Sequence, residues 1–232
     1  MDKLAVIIPA AGSGSRMGSQ TPKPFLMLRN KTILEHTIHA FAKLDFVSQI
    51  IIATSKERES EVESILNTFT NHVEILSIVE GGKERQDSIK NALSIVSDKV
   101  DLVAVHDAVR PFISAELIER CSKCAKEFGG AIIGVPAKDT IKEIGKDSVI
   151  KKTPDRSKLW QAQTPQIFQK KLLISAYKAA TIEKFTGTDD ASLVEKVGGT
   201  VKVIEGDRRN LKITYPIDLK IAELILDEIK EK

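Results

Sequence analysis

The chain has few cysteines and histidines, the side chains on which zinc, redox and disulfide chemistry mostly depend. Its 232 residues include two cysteines and four scattered histidines. A zinc site would need two more ligands at a matching spacing. The cysteines, Cys121 and Cys124, lie inside the helical pattern 115–128, whereas a thioredoxin-type pair should begin a helix just after a strand. The pair is therefore predicted to pack a helix rather than to bind a metal or exchange electrons.

Long hydrophobic runs and a strong charge imbalance are also missing. No apolar run approaches about 18 residues and no signal-peptide pattern opens the chain, so we expect a cytoplasmic protein without membrane contact. The net charge of +3 is too small to indicate a nucleic-acid partner. A hydrophobic fraction of 42% and a charged fraction of 29% are ordinary for a globular protein. The length fits one large α/β domain over residues 1–232.

Several common binding and catalytic motifs are absent as well. The dinucleotide fingerprint G-x-G-x-x-G needs glycine where Met17 stands, and the second predicted strand offers no acid to hold a ribose. These two departures exclude a dehydrogenase. No Gly-Lys pair is followed by Ser or Thr, so the chain has no P-loop. Neither a G-x-S-x-G elbow nor a cysteine beside a histidine supplies a nucleophile.

A loop of small residues near the start of the chain is the most informative feature that is present. The segment 9–18, Pro-Ala-Ala-Gly-Ser-Gly-Ser-Arg-Met-Gly, follows the apolar run 4–8, which is typical of a buried strand. Glycine lets backbone N–H groups surround an anion, and Arg16 and Lys23 add two positive charges. A polyphosphate is the natural occupant of such a loop. The alternative is a solvated turn between a strand and a helix.

Strand and helix patterns alternate along most of the chain. This order predicts an α/β fold with a mostly parallel, twisted sheet and helices on both faces. Thr32 opens the first helix with a capping box that Glu35 completes. Strands are predicted at residues 4–8, 46–54, 73–79, 102–105, 131–136 and 200–204. Helices are predicted at residues 32–44, 55–67, 83–96, 115–128 and 189–196, and two more begin at about residue 170 and after residue 216. Ser55 is the predicted cap of the helix at 55–67.

The alternation breaks between residues 137 and 160. Two short alternating runs, 140–144 and 149–152, flank Gly145-Lys-Asp147, and this is a hairpin pattern. Nothing large enough to form a core is attached to it. We therefore predict a projecting β-arm, residues 137–160, rather than a second domain.

Polar clusters follow several of the predicted strands. Ligands of parallel sheets bind beyond the carboxyl ends of the strands, so these clusters are candidate binding elements. The third strand leads into residues 81–88, and the fourth leads into His106 and Asp107. Asp107 would hold a sugar hydroxyl or a Mg²⁺ ion already on a phosphate, or would merely cap the following loop. Cations, backbone donors and a carboxylate, without a nucleophile, suit phosphoryl or nucleotidyl transfer.

Four later polar segments have too little apolar content for a predicted core role. They are residues 153–156, 160–166, 187–192 and 210–214. Thr188 would alternatively be the N-cap of the helix at 189–196. Trp160, the one tryptophan, is interpreted as a packing anchor in preference to a stacking platform.

Eight motifs in a fixed order make the chain resemble the 2-C-methyl-D-erythritol 4-phosphate cytidylyltransferases of isoprenoid precursor synthesis. The resemblance extends from Pro9 past Thr214, nearly the whole length. The motifs are Pro-Ala-Ala-Gly-x-Gly-x-Arg-Met-Gly (9–18), Pro-Lys (22–23), Gly-Gly-x-x-Arg-x-x-Ser (81–88), Val-His-Asp-Ala-x-Arg-Pro (105–111), Thr-Pro-Asp-Arg (153–156), Gln-Thr-Pro-Gln (163–166), Thr-Asp-Asp-Ala-Ser (188–192) and Asn-x-Lys-Ile-Thr (210–214).

The resemblance implies a Rossmann-like nucleotidyltransferase domain whose β-arm hooks around a partner subunit in a homodimer. The implied reaction joins CTP to methylerythritol phosphate with Mg²⁺ and releases pyrophosphate. The implied catalytic cations are Arg16, Lys23 and Lys212, and the implied nucleotide contacts are Ala10, Ala11, Gly12, Gly14, Gly82, Lys83, Ser88, Asp107 and Ala108. The implied acceptor contacts are Asp107, Arg110, Thr164, Thr188 and Lys212, together with Thr140 and Arg156 on the arm, which would serve the neighbouring subunit's site. Asp107 is also the one candidate ligand for a Mg²⁺ ion that the CTP phosphates mainly hold.

Two positions depart from the usual family pattern. Pro24 stands where glutamine is common and lacks an N–H beside Lys23, and Val109 adds bulk where alanine is common.

Two other functions share most of these sequence features. One is a ribitol 5-phosphate cytidylyltransferase, a sister enzyme with most of the same motifs. The other is a non-catalytic nucleotide-binding module, which would not need all four of Arg16, Lys23, Asp107 and Lys212.

Overall fold

The computed structural model describes residues 2–12, 21–69 and 73–230. The strands are β1 (Leu4–Pro9), β2 (Met27–Leu28), β3 (Lys31–Thr32), β4 (Val47–Thr54), β5 (Ile75–Glu80), β6 (Leu102–Val105), β7 (Gly130–Pro136), β8 (Glu143–Ile144), β9 (Ile150–Lys152), β10 (Trp160–Gln169) and β11 (Val201–Glu205). The helices are α1 (Ile33–Ala42), α2 (Glu59–Asn67), α3 (Arg85–Leu93), α4 (Ala115–Phe128), α5 (Lys170–Ile182), α6 (Asp190–Lys196) and α7 (Pro216–Lys230). The predicted α/β class is therefore confirmed.

Seven strands form one central sheet in the order β11–β7–β10–β6–β1–β4–β5. β1 lies parallel to β4 and β6, β4 to β5, and β7 to β11. β10 alone is antiparallel to both of its neighbours, β6 and β7. The carboxyl ends of β1, β4, β5 and β6 consequently meet at one edge of the sheet, which is where ligands of such sheets bind.

Apolar side chains on the two faces of the sheet form two cores. β1 and β4 are buried along nearly their whole length, as expected for parallel strands covered on both sides. Helices α1, α2 and α4 pack on one face, and helices α3, α5 and α6 pack on the other. Cys121 is buried in the first core and Cys124 packs against it, so the packing prediction for the cysteines is confirmed.

The capping box at the start of α1 is present as predicted. The Thr32 hydroxyl accepts a hydrogen bond from the Glu35 N–H, and the Glu35 carboxylate accepts one from the Thr32 N–H. Ser55, by contrast, makes no side-chain capping bond; it precedes a short 3₁₀ turn, and α2 begins only at Glu59. Thr188 is not the N-cap of α6 either, because Asp189 takes that position and accepts a hydrogen bond from the Ser192 N–H.

The prediction that residues 160–166 have no core role is wrong. They open β10, which lies in the middle of the sheet, and Gln163, Thr164 and Gln166 are buried there. Their polarity hid the strand, because each side chain finds a buried polar partner; the Gln166 amide oxygen accepts from two backbone N–H groups at the start of α6. The pairing with β7 shifts between Ala162 and Gln166, which accommodates Pro165 inside the strand.

The predicted hairpin is formed by β8 and β9, which pair in antiparallel fashion. Its strands are shorter than the sequence pattern predicts, and its apolar side chains Ile144, Val149 and Ile150 are exposed. Trp160, at the base of the arm, is 42% exposed, so it is not a core anchor within this chain. Within the described ranges, no helix has the length and apolar character that a membrane span requires.

Candidate active site

A cleft of about 540 Å³ opens at the carboxyl edge of the sheet, and we call it the main cleft. It brings together ten residues that the sequence predicts for the site, although they come from separate segments of the chain. They are Ala10, Ala11, Gly12, Lys23, Gly82, Lys83, Ser88, Asp107, Ala108 and Lys212. Gly14 and Arg16 lie outside the described residues. The roles of these side chains stay predictions, but their convergence on one cleft is what such roles require.

The loop after β5 depends on close approach between backbone segments. A Cβ atom added at Gly81 would overlap Ala11, and one added at Gly82 would overlap Asp87. The Ser88 hydroxyl accepts from the Gly82 N–H at 3.0 Å and donates to the Glu84 carbonyl at 3.1 Å. Ser88 therefore holds the loop that lines the cleft, and its direct contact with a base stays a prediction.

Replacing Gly81 with alanine is expected to weaken CTP binding at least roughly tenfold, because the added methyl group must displace the segment around Ala11 that lines the main cleft. Isothermal titration with CTP measures the change. Glu80→Ala is the control, because Glu80 is the exposed residue just before Gly81 and does not line the main cleft. An equal loss of affinity in both variants would contradict the clash between the two segments as the cause.

Asp107 is the electrostatic centre of the main cleft. Its Oδ2 atom lies 2.9 Å from Lys212 Nζ and 3.3 Å from Arg110 Nε, and its Oδ1 atom lies 3.6 Å from Arg85 Nε. Burial acts to raise the pKa of Asp107, but the charges of these three cations outweigh it and hold the pKa well below its ordinary value. The carboxylate stays ionised, and it faces cations rather than capping the following loop.

A chain of hydrogen bonds behind Asp107 fixes its backbone. The Asp107 N–H donates to Thr164 Oγ1 at 3.0 Å, and Thr164 Oγ1 lies 3.1 Å from His106 Nδ1. His106 Nε2 lies 2.9 Å from the Arg110 carbonyl oxygen, which only accepts, so Nε2 carries the proton and Nδ1 accepts from Thr164. Thr164 thus lies beneath Asp107 on β10, rather than among the residues that line the main cleft.

His106 is fully buried, and desolvation lowers its pKa to about 4. An unfolded chain binds a proton at this histidine below about pH 6.5, whereas the folded chain does so only below about 4, so stability falls between these values as the pH is lowered. From pH 7 to 4.5 we expect the folded state to lose about 2 kcal/mol through this group. Urea unfolding of wild type and His106→Gln, which does not titrate, measures the difference. The exposed His39→Gln is the control, and equal pH dependence in all three proteins would contradict this role.

Lys23 and Lys212 both line the main cleft, each from a short segment. Lys23 is buried and begins a 3₁₀ turn, Lys23–Phe25, in which Pro24 occupies a first-turn position that needs no N–H donor. The missing N–H of Pro24 therefore costs the turn no internal bond. Lys212 is held in place because the next residue, Ile213, donates its N–H to the Val109 carbonyl. Val109 itself packs with Ile213 in a small third core.

Arg110 and its surroundings join three segments beside Asp107. The Arg110 guanidinium donates to the Asn210 carbonyl at 2.8 Å, and the Asn210 amide donates to the Thr164 carbonyl at 2.8 Å. Burial lowers the pKa of Arg110 and Asp107 opposes that effect. Arg110 is buried and does not line the main cleft, so a direct contact with an acceptor stays a prediction.

The remaining predicted residues lie apart from the main cleft. Thr188 lines a smaller space of about 90 Å³, which we call the side cleft and which shares Glu84 and Arg85 with the main cleft. Thr140 and Arg156 lie on the exposed arm, where the Arg156 guanidinium donates to the Lys138 carbonyl at 2.7 Å. Neither lines the main or the side cleft of its own chain, so their roles at a neighbouring subunit's site stay predictions.

Arg85 is a site residue that the sequence reasoning did not single out. It lines both clefts, and its guanidinium lies 2.8 Å from Asp190 Oδ2 in addition to its contact with Asp107. Burial acts against its charge, but the two carboxylates raise its pKa above the ordinary value. The one signal for it in the sequence is the fixed spacing of Arg85 after Gly81 and Gly82.

Comparisons with known proteins agree with this geometry. The family model described as IspD, 2-C-methyl-D-erythritol 4-phosphate cytidylyltransferase, matches residues 4–228. The curated enzyme of that name from Symbiobacterium thermophilum is 44% identical over 225 residues, which cover 97% of this chain and 93% of the relative. The enzyme of that name from Clostridioides difficile is also 44% identical, over 96% of this chain and 93% of the relative.

Solved structures give the same result for the fold. The crystal structure of 4-diphosphocytidyl-2C-methyl-D-erythritol synthase from Anaerococcus prevotii superposes with a TM-score of 0.85 at 30% identity, over 97% of this chain and 99% of that chain. The cytidylyltransferase structure from Thermus thermophilus superposes with a TM-score of 0.80 at 31% identity, over 97% and 99%. Family match, sequence identity and fold all extend over nearly the whole length, and the chain belongs to the 2-C-methyl-D-erythritol 4-phosphate cytidylyltransferase family.

Proposed function

We propose that this chain transfers the cytidylyl group of CTP to 2-C-methyl-D-erythritol 4-phosphate, giving 4-diphosphocytidyl-2-C-methyl-D-erythritol and pyrophosphate in the non-mevalonate isoprenoid pathway. The observation that carries the proposal is the main cleft, where two lysines and a paired carboxylate face a loop of backbone donors in a chain of this family. A module that only binds a nucleotide would not need this set of charges.

The chemistry explains why cations rather than a base fill the site. A phosphate oxygen of the acceptor attacks the α-phosphorus of CTP, the bond from that phosphorus to the bridging oxygen breaks, and pyrophosphate leaves with the electron pair. The nucleophile is already an anion, so no side chain has to remove a proton. Two polyanions must instead be brought together, and Lys23 and Lys212 lie where they would neutralise them. Arg16 is proposed to add a third cation.

The two substrates would occupy different parts of the site. We assign the nucleotide to the loops around Ala10 and Gly82, with Asp107 and Ala108 toward the ribose, because these segments line the main cleft together. We assign the acceptor to the region between Lys212 and Thr188, with Thr164 and Arg110 fixing Asp107 from behind. The base would meet the backbone of Gly82 and Lys83.

Mg²⁺ fits this site as an ion carried by the nucleotide. Among the residues that the structure describes, no three His, Cys, Asp or Glu side chains form a cluster that would hold a metal ion. The Asp107 carboxylate already faces three cations, so it would supply at most one ligand to Mg²⁺. Bound to the triphosphate, Mg²⁺ would neutralise phosphate charge, and we propose that the CTP phosphates supply most of its ligands.

We propose a homodimer in which Thr140 and Arg156 complete the neighbouring subunit's acceptor site. The exposed apolar side chains of the arm support this assembly, since such residues are usually covered by a partner. Light scattering should then give a dimer for the wild type and a monomer after deletion of residues 140–156.

Mixing two inactive variants tests the shared site. Arg156→Ala and Lys212→Ala subunits form heterodimers in which one of the two sites is intact, so a mixture refolded together should regain about one quarter of the wild-type activity. No recovery in a mixture that forms heterodimers would contradict the shared site while leaving the reaction itself in place.

Pyrophosphate release from CTP and Mg²⁺ tests the proposed function, with methylerythritol phosphate and ribitol 5-phosphate assayed in parallel. We expect strong preference for methylerythritol phosphate. Preference for ribitol 5-phosphate would assign the chain to the sister activity, and CTP binding without pyrophosphate release from either acceptor would favour a non-catalytic module.

A further inference from the structure

Arg85 connects two carboxylates that belong to opposite sides of the site. Asp107 follows β6 and lines the main cleft, whereas Asp190 begins α6 beside the side cleft. The guanidinium is planar and offers five N–H donors, so it reaches both carboxylates at once, which the single ammonium group of lysine does not. Arg85 is therefore the one described side chain with an ion pair to each of these carboxylates.

Asp190 depends on this contact for its charge balance. It is fully buried, and its Oδ1 atom accepts a hydrogen bond from the Tyr177 hydroxyl at 2.5 Å. Its Oδ2 atom lies 2.8 Å from Arg85 Nη1 and has no hydrogen-bond partner among the other described residues. A buried carboxylate that loses its cation pays a large desolvation cost, so the pair holds the start of α6 firmly to the start of α3.

Gln86, the residue after Arg85, also contacts the segment that leads into α6. The Gln86 amide donates to the Phe185 carbonyl at 3.0 Å and accepts from the Gly187 N–H at 3.0 Å. Two adjacent side chains of α3 therefore fix both ends of the segment 185–190, which carries Thr188. The loop that lines the nucleotide side, residues 81–84, runs directly into this helix.

Arg85 also contacts the side of Asp107 that the other cations leave open. Lys212 and Arg110 both face Oδ2, whereas Arg85 faces Oδ1. The Lys212 side chain is 44% exposed at the cleft and is free to turn toward a phosphate, whereas Arg110 is buried. If Lys212 turns away, Arg85 and Arg110 together still hold the Asp107 carboxylate in place.

We propose that Arg85 is a positioning residue that couples the two substrate sites, holding the Thr188 segment against the nucleotide side through its bridge between Asp107 and Asp190. The inference rests on the proposed function and deepens it. Without Arg85, Asp107 keeps the cations Lys212 and Arg110, whereas Asp190 Oδ2 keeps no partner among the described residues, so the loss of Arg85 should weaken the acceptor site more than the nucleotide site.

Arg85→Gln and Asp190→Asn break the bridge from its two ends, and the double variant tests whether both act through one contact. We expect each single variant to raise the KM for methylerythritol phosphate roughly tenfold or more, which corresponds to the loss of one charge-assisted contact. The dissociation constant for CTP, titrated without acceptor, should change less than about threefold. The double variant should be no worse than the more impaired single variant, since the two residues share one interaction.

Lys90→Gln is the matched control, because Lys90 is an exposed cation on the same helix that lines neither cleft. It should keep wild-type constants, and thermal unfolding should show that all variants are folded. An unchanged acceptor KM in folded Arg85→Gln, or an equal rise in the CTP dissociation constant, would overturn the coupling role while the wild-type reaction still stands. Absence of turnover in the wild type would instead overturn the proposed function, and this inference with it.

Discussion

Replacing Lys212 with alanine is expected to lower turnover by roughly 100- to 1,000-fold while the fold stays intact. A preorganised donor that faces developing charge typically contributes about that much to the rate. Lys212 Nζ lies 2.9 Å from Asp107 Oδ2 in the main cleft, and its side chain is half exposed, so its removal opens no cavity in a core. Steady-state pyrophosphate release measures the loss, and thermal unfolding checks the fold.

Lys220→Ala is the control for that substitution. Lys220 is an exposed lysine of α7 that lines neither cleft, so its removal should leave turnover unchanged. Lys212→Arg should recover part of the lost rate, because it restores the charge in a different shape. Near-normal turnover in folded Lys212→Ala would remove this lysine from the proposed mechanism.

The second large effect is expected at Asp107. Asp107→Asn keeps the shape of the side chain but leaves Lys212, Arg110 and Arg85 facing each other without their shared anion. We expect kcat/KM to fall by about 100-fold or more, since the cations lose the geometry that presents them to phosphates. Breaking this buried contact should also destabilise the fold by about 2 kcal/mol, less than a fully buried pair because two of the cations are partly exposed.

The acid dependence of stability distinguishes this account of Asp107 from a simple packing defect. Because the pKa of Asp107 is held below its ordinary value, the ionised carboxylate contributes stability above about pH 4, and that contribution disappears as the pH falls further. Urea unfolding of Asp107→Asn should therefore lose less stability than the wild type below pH 4. Asp98→Asn is the control, because Asp98 pairs with Lys170 at a fully exposed position. Parallel curves for wild type and Asp107→Asn would contradict the ion-pair cluster.

Sequence patterns predicted those elements of the fold that depend on residues close together in the chain. β1 is an apolar run and β4 contains the apolar run 50–53, and both strands are buried in the sheet. Thr32 and Glu35 form their capping box within one helical turn. β10 was missed because Gln163, Thr164 and Gln166 look like surface residues. Their burial depends on partners as far away as α6 and Asn210, which no local pattern shows.

The same distinction holds for the site. Gly82 and Asp107 were placed together because the carboxyl ends of the parallel strands meet at one edge of the sheet, whereas Lys212 was assigned to the site by the family resemblance alone. Arg85 was missed since its importance comes from two carboxylates, one of them more than a hundred positions away on α6. The sequence around an arginine shows neither its ion-pair partners nor whether its side chain is buried.

The measurement that tests the central claim most directly follows the oxygen atoms of the reaction. Methylerythritol phosphate labelled with ¹⁸O at its non-bridging phosphate oxygens is incubated with CTP, Mg²⁺ and the enzyme, and both products are analysed by mass spectrometry. Attack of that phosphate on the α-phosphorus predicts that all of the label appears in 4-diphosphocytidyl-2-C-methyl-D-erythritol and none in pyrophosphate. Label in the released phosphates, or no cytidylylated product at all, would contradict the account.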